Sequence, residues 1–172
     1  MRLLTNMNPM TLWQETIREA EGQCEVALRQ ELETYLVTLL ANYVNQPDLF
    51  KQTVAISFLE AQSKHDDLAL QRTGDQCLLV TGLFPHFTER KLVKINYFVQ
   101  VGQASYFSLS HRANDLFALL ANHFVTLMDV LQSIRADATL LPLEAYDQWN
   151  DLGSRRALRI LEEYRAYRNG GR

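Results

Sequence analysis

Four residues of this sequence combine a reactive side chain with apolar surroundings: Asp75, Tyr97, Tyr106 and His123. A carboxyl group among apolar residues can act as an acid, a base or a ligand, and a histidine can bind a metal ion or haem. Tyrosine hydroxyls can supply the few polar groups of an otherwise apolar ligand pocket. These four residues are therefore the candidate pocket residues, and no catalytic residue is predicted.

Each candidate also has a structural interpretation, which the sequence favours. Asp75 follows a glycine and precedes an apolar run, which is typical of a helix N-cap. His123 lies on the apolar face of a predicted helix, where a histidine is usually hydrogen-bonded at the edge of a core. The two tyrosines belong to an aromatic group that suits a hydrophobic core. The other members of that group are Phe84, Phe87, Phe98 and Phe107.

The motifs of several enzyme classes are missing from the sequence. It contains no phosphate-binding Gly-Lys loop, no dinucleotide-binding fingerprint, no His-Glu-x-x-His and no close pair of cysteines. No cofactor and no metal ion are therefore predicted, and the sequence favours a protein that is not an enzyme.

The elements that position the candidates begin with residues 74–106, which hold Gly82 and Gly102 inside apolar runs. Residues 92–101 alternate apolar and polar side chains, which is typical of a strand, and a hairpin over 77–101 would give an α+β fold. The same residues also fit one helical stripe, and no other segment offers a third strand. We therefore predict two antiparallel helices joined by a turn at 88–91, with the two glycines in contact.

The remaining segments all show helical periodicity. Helices are predicted at 11–21, with Thr11 and Gln14 as a capping box, at 24–43, at 50–61 and at 114–135. Two more follow near the C-terminus, separated by Gly153 as the end of one and Ser154 as the N-cap of the next. The predicted fold is an all-α, single-domain bundle of about six to seven helices over 11–168, between flexible segments at 1–10 and 169–172.

Charge is unevenly distributed along the 172 residues, whose formal net charge is −3. Residues 153–172 carry six arginines and two glutamates, a net +4, and the remainder carries −7. The sequence favours a solvated helix over a nucleic-acid site for this basic segment. No apolar run is long enough to cross a membrane, and Cys24 and Cys77 suit buried free thiols. We therefore predict a cytoplasmic protein without a membrane partner.

Two segments carry a distinctive pattern. Residues 74–85 have the sequence GDQCLLVTGLFP and are followed by Tyr97-Phe98, Gly102 and Tyr106; residues 146–161 have the sequence YDQWNDLGSRRALRIL. The pattern resembles the central and closing segments of a family of uncharacterised, all-helical bacterial proteins. The resemblance covers about half of the chain. It implies an all-helical fold, but no activity, ligand or catalytic residue.

Two hypotheses about function follow. The leading one is a helical interaction protein, with a second copy of the chain as one candidate partner, held through Tyr97 and Tyr106. The alternative is a binder of a small apolar ligand, or an enzyme, with a pocket between the 75–109 hairpin and the 114–135 helix. The four candidate residues would then supply the polar groups of that pocket.

Overall fold

A computed structural model describes residues 8–43, 62–85, 94–110, 115–134 and 140–171. Within these ranges the fold consists of helices without any strand, so the predicted all-α class is confirmed. Eight helices are described: α1 (Pro9–Cys24), α2 (Gln30–Tyr43), α3 (Asp67–Leu83), α4 (Ile95–Ser110), α5 (Asp115–Asn122), α6 (Phe124–Gln132), α7 (Pro142–Leu152) and α8 (Arg155–Gly170).

Helix α3 lies at the centre of the molecule. It packs against α4 on one side and α6 on another, and residues 76–82 are all buried. A helix that is apolar all round belongs in the interior, and the run from Cys77 to Val80 fits that position. Around it, α1 packs on α2 and α6, and α5 packs on α4. The core includes Leu36, Leu78, Val99, Tyr106, Phe124 and Leu131.

The last two helices form a C-terminal hairpin, a name used below for α7 and α8 together. Gly153 ends α7 in the left-handed conformation, with φ at 70°, and the Ser154 side chain accepts a hydrogen bond from the Ala157 amide at 3.1 Å. Both roles were predicted, and both are confirmed. Leu140, Ala145 and Ala157 form a small core separate from the main one. The hairpin is therefore a satellite of the bundle.

The strand alternative for residues 77–101 is wrong wherever the structure describes them. Residues 77–83 belong to α3, and residues 95–101 belong to α4. Phe98, Val99, Val101 and Gly102 are all buried, a helical grouping that a strand would divide between two faces. The alternation of apolar and polar residues misleads here for two reasons. Phe98 is an apolar residue at one of the alternate positions, and α4 buries a wide face.

The predicted number of helices, six to seven, is slightly too low. The described residues contain eight, partly because the single helix predicted at 114–135 breaks at His123 into α5 and α6. The helix predicted at 50–61 and the turn predicted at 88–91 lie outside the described residues.

The start of α1 also differs from the prediction. The helix begins at Pro9, with the Asn8 side chain accepting a hydrogen bond from the Met10 amide at 3.1 Å, so the predicted capping box at Thr11 is wrong. Proline is well suited to the first helical position after an N-cap, since it has no amide to satisfy there. The helix also continues through Gly22 and ends at Cys24, where Glu25 adopts the left-handed conformation.

The two glycines predicted to touch each other contact different neighbours. A Cβ atom on Gly82 would lie 2.5 Å from Leu131 Cβ on α6, and one on Gly102 would lie 2.5 Å from the Phe124 ring. The general expectation, that these glycines allow close approach, agrees with these distances. The predicted pairing of the glycines is wrong, because each lies against a side chain of α6.

Candidate functional site

Asp75 does not cap a helix. The N-cap of α3 is Asp66, whose side chain accepts a hydrogen bond from the Ala69 amide at 3.1 Å, and Asp75 lies nine residues further on, within the helix. The predicted capping role is therefore wrong. Capping was inferred from a preceding glycine, but Gly74 is itself inside α3 and has a different purpose, described below.

The Asp75 carboxyl group joins three helices. Tyr35 on α2 donates its hydroxyl hydrogen to Asp75 Oδ1 at 2.5 Å, and Tyr106 on α4 donates to the same oxygen at 2.6 Å. Gln71, one turn earlier on α3, donates from Nε2 to the Tyr35 hydroxyl at 3.2 Å. These residues are called the Asp75 cluster below. Hydrogen bonds from phenols to a carboxyl oxygen are short and strong when the oxygen is charged.

Gly74 lets Tyr106 reach this carboxyl group. A Cβ atom on Gly74 would lie 2.6 Å from Tyr106 Cε1, so only glycine leaves room for the ring against α3. The Tyr106 ring is fully buried and lies 6.2 Å from the Phe117 ring and 6.0 Å from the Phe124 ring, between centroids. Tight packing on all sides therefore holds the hydroxyl on Asp75.

Burial controls the charges of the Asp75 cluster. Removal from water raises the pKa of Asp75 to about 6, although the hydrogen bonds from Tyr106 and Tyr35 act in the opposite direction. Burial, together with the adjacent carboxylate, raises the pKa of Tyr35 and of Tyr106, so both phenols keep their protons. The cluster thus holds one carboxyl group that titrates near neutral pH between two fixed hydrogen-bond donors.

The structure brings only two of the four candidate residues together. Tyr97 is half-buried near the start of α4, where its ring packs 5.6 Å from that of Phe98, and nine residues separate it from Tyr106. That spacing corresponds to about 13 Å along a helix. His123 is exposed at the junction of α5 and α6, not on a buried apolar face. Neither residue contributes to the Asp75 cluster.

Tyr35 and Gln71 belong to the cluster, and the sequence did not single them out. The Tyr35 ring packs edge-on to the Tyr106 ring, with centroids 6.3 Å apart. The hydroxyl group of a half-buried tyrosine usually has a hydrogen-bond partner, so the sequence could have indicated a polar contact for Tyr35. The identity of the partner was not available, because Tyr35 and Asp75 are 40 residues apart.

A second buried carboxyl group, Asp129 on α6, holds the C-terminal hairpin. Ser154 donates to Asp129 Oδ1 at 2.6 Å, and the backbone amides of Arg155 and Arg156 also donate to this carboxyl group. Burial raises the pKa of Asp129 to about 6, against the effect of these hydrogen bonds and of the Arg156 charge. A carboxylate at the first turn of α8 also interacts favourably with the helix dipole.

Further polar contacts attach the hairpin. Arg156 donates to Gln132 Oε1 at 2.8 Å, and Gln132 donates to the Thr81 carbonyl at 3.0 Å. Arg159 donates to the backbone carbonyls of Gln23 and Cys24 at the end of α1. The hairpin therefore joins the bundle largely through hydrogen bonds, and a structural role accounts for Asp129.

The C-terminal hairpin also carries most of the exposed apolar side chains of the described molecule. On and beside α7, Leu143 is 72% exposed, Leu141 62% and Trp149 40%. The Tyr146 and Trp149 rings pack edge to face, with centroids 6.1 Å apart. On α8, Tyr167 is 88% exposed. We call this surface the C-terminal patch; its members are Leu141, Leu143, Tyr146, Trp149, Tyr164 and Tyr167.

Comparison with protein-family models, curated proteins and solved structures found no match to this chain. The resemblance to an all-helical bacterial family therefore stays a prediction. In the described ranges, no group of three His, Cys, Asp or Glu residues could hold a metal ion. Nor does any helix among the described residues have the length and apolar character to cross a membrane.

Proposed function

We propose that this protein is a helical interaction module that binds a second copy of itself through the C-terminal patch. The observation that carries the proposal is the exposure of six large apolar side chains on one two-helix unit. Exposed aromatic and leucine side chains scattered singly need no explanation, but a group of them on one element is typical of an interaction surface.

The length of α8 supports the same conclusion. Helix α7 has 11 residues and α8 has 16, so α8 extends beyond its partner by about 7 Å. Residues 162–171 are all exposed. The stripe that packs against α7, with Ala157 and Leu161, continues as Tyr164, whose hydroxyl donates to the Leu140 carbonyl at 3.1 Å, and beyond that contact as Tyr167. A helical stripe that continues after its intramolecular partner ends is suited to a partner from another molecule.

Charge complementarity favours a second copy as that partner. The segment from 153 onward carries +4, and the rest of the chain carries −7. On the outer face of α1, Glu15 and Glu19 are exposed beside Leu12, which is 41% exposed. Arg165 and Arg168 are exposed on α8, the helix that carries Tyr164 and Tyr167, and a basic surface with apolar residues fits an acidic one. A two-fold dimer would contain two such contacts, from the hairpin of each copy to α1 of the other.

The proposal replaces the interface predicted from sequence. That interface used Tyr97 and Tyr106, but the Tyr106 side chain is fully buried and cannot contact a partner. The same burial weighs against the alternative function, since a pocket beside Tyr106 would have to open between tightly packed rings. Cytoplasmic location remains part of the proposal, supported by Cys24 and Cys77, which are buried and form no disulfide.

Sedimentation equilibrium over a range of protein concentrations tests the dimer. We expect Leu143→Ser and Trp149→Ala each to weaken dimerisation by about tenfold or more, as truncation of a central apolar contact does. Higher salt should also weaken it, because arginine–glutamate attraction is screened.

Leu68→Ser is the matched control, since Leu68 is 64% exposed but lies on α3, away from the patch. It should leave the dimerisation constant unchanged. A protein that stays monomeric at the highest concentrations, or a dimer that Leu143→Ser and Leu68→Ser weaken equally, would contradict the proposal.

A further inference from the structure

We propose that the Asp75 cluster is a binding site for a primary ammonium group, with Asp75 Oδ2 and Gln71 Oε1 as its two acceptors. The proposal is independent of dimerisation through the C-terminal patch. It rests on the unequal use of the two carboxyl oxygens, on a second free acceptor one turn away, and on the lack of a positive charge beside Asp75.

Both phenols donate to one oxygen of Asp75, Oδ1. Oδ2 accepts no hydrogen bond from any residue that the structure describes. Among these residues, every side-chain nitrogen or oxygen that is sealed from solvent has a hydrogen-bond partner. Because Oδ2 has none, it must reach the surface, in agreement with the partial exposure of Asp75. The carboxyl group is therefore anchored at one oxygen and open at the other.

Gln71 presents a second acceptor on the same side of α3. The Tyr35 hydroxyl hydrogen is used on Asp75, so the Tyr35 oxygen can only accept a hydrogen bond from Gln71. Gln71 must therefore point its NH2 group at Tyr35, which leaves the carbonyl oxygen Oε1 directed elsewhere. Residues four apart are neighbours on a helix face, with Cβ atoms about 6 Å apart. Oδ2 and Oε1 together suit a ligand that donates several hydrogen bonds.

The charge of the site is not compensated. Burial and the two tyrosine hydrogen bonds set the pKa of Asp75, with no contribution from a cation. The side chain of Arg72, three residues earlier on α3, is exposed to solvent. Asp129 differs, because the Arg156 charge acts on it. A carboxylate that is largely desolvated, without a counter-ion, and open to solvent at one oxygen attracts a cationic ligand. The half-buried Tyr35 ring beside it is also a favourable neighbour for an ammonium ion.

A metal ion fits the site less well than an ammonium group. Calcium takes six to eight oxygen ligands, and magnesium needs near-ideal octahedral coordination, usually with one or two carboxylates, several waters and the phosphates of a substrate. The cluster offers one carboxyl group and one amide oxygen, and Asp75 belongs to no group of three His, Cys, Asp or Glu residues among those that the structure describes. An ammonium group needs only a few acceptors, because each of its three N–H groups donates one hydrogen bond.

Titration with butylammonium, followed by amide NMR shifts, tests the proposal. We expect saturable shifts centred on residues 71–75 at pH 7.5, and none with butanol, which has the same chain without the charge. N-acetyl-lysine amide, which presents the same group as a protein side chain, is the second probe. Binding of butylammonium alone indicates a small amine as the natural ligand, and binding of the lysine amide indicates a partner's lysine; either result supports the site.

The pH dependence gives a second readout. The titratable groups that face Asp75 are Tyr35 from α2 and Tyr106 from α4, and both stay protonated because their pKa values are raised. Binding should therefore follow Asp75 alone, whose pKa is about 6. The carboxylate fraction rises about tenfold between pH 5 and pH 7, and we expect the affinity for butylammonium to rise by the same factor.

Variants distinguish a specific site from general attraction. Asp75→Asn should abolish the shifts, and Gln71→Leu should weaken binding while leaving the carboxyl group in place. Asp129→Asn removes the other buried carboxyl group and is the matched control, which should bind as the parent protein does. Thermal unfolding verifies that each variant is folded. Equal binding by folded Asp75→Asn, or equal shifts with butanol, would overturn the proposal.

Discussion

At the scale of single residues, Asp75 and Asp129 share one electrostatic property and differ in their neighbours. Burial raises the pKa of Asp75 and of Asp129 to about 6 in each case. Asp129 accepts hydrogen bonds from backbone amides at the start of α8 and lies near Arg156. The fold itself therefore compensates its negative charge. Asp75 has only the hydroxyl groups of Tyr35 and Tyr106. An anion that the fold holds without a counter-ion is the stronger indication of a ligand site.

Gly74→Ala tests how tightly the Asp75 cluster is packed. The added Cβ would lie 2.6 Å from the Tyr106 ring, and we expect a loss of about 1–3 kcal/mol in the free energy of unfolding. Gly22→Ala is the control, since Gly22 is also helical but has no atom within 4 Å of the new Cβ. Urea unfolding should show no loss for Gly22→Ala and a gain of up to about 1 kcal/mol. Equal effects at both positions would contradict the packing described here.

At the scale of the elements, the C-terminal hairpin differs from the rest of the bundle. Its apolar core is small and separate, and buried polar groups form much of its contact with α6. Ser154 has two roles there, since it donates to Asp129 and accepts from the Ala157 amide. The C-terminal hairpin is therefore attached to the bundle through a few hydrogen bonds. The loss of any one of them is costly, because they lie in an environment of low dielectric constant.

Ser154→Ala should therefore destabilise more than the removal of an ordinary cap. It removes the N-cap of α8 and also leaves Asp129 without its side-chain donor, and we expect a loss of about 2–4 kcal/mol. Asp66→Ala removes only an exposed N-cap of α3, at a cost of about 1 kcal/mol. Hydrogen exchange of Ser154→Ala should show α7 and α8 opening first. Similar losses in the two variants would indicate that the bond to Asp129 contributes little.

At the scale of the whole molecule, the two carboxyl groups make stability depend on pH. The pKa of each in the folded protein is about 6, above the ordinary value of 3.8. Between these values the folded state binds more protons than the unfolded state, so stability falls as pH rises from about 4 to about 6. An aspartate in a salt bridge has the opposite effect, since it makes the protein more stable as pH rises. The difference arises because burial of the charged Asp75 and Asp129 side chains is unfavourable.

Asp75→Asn isolates one of these two contributions. The asparagine oxygen can still accept from both tyrosines, and the side chain has no charge at any pH. Relative to the parent protein, the variant should gain up to about 3 kcal/mol of unfolding free energy between pH 4 and pH 7. Urea unfolding at the two pH values measures this difference. If the difference in unfolding free energy between the variant and the parent protein were the same at both pH values, the pKa of Asp75 would not be raised in the folded protein.

Several features followed correctly from the sequence alone. Helical periodicity, the absence of a third candidate strand and the Gly153-Ser154 pair led to an all-helical fold with a capped last helix, as the described residues show. These features depend on neighbours in the chain, through backbone hydrogen bonding and local capping. The break at His123 was missed because the apolar pattern continues across it.

The roles of individual residues were decided by tertiary structure. The glycine before Asp75 suggested a helix start, but Gly74 makes room for a ring from α4. Tyr35 and Asp75 meet across 40 residues, and the exposure of the C-terminal patch depends on which faces of α7 and α8 pack against each other and against the bundle. Which segments are helical followed from the sequence, because helical periodicity and capping depend on residues a few positions apart. Which polar groups meet in the Asp75 cluster, and which apolar side chains stay exposed, depends on packing between distant helices.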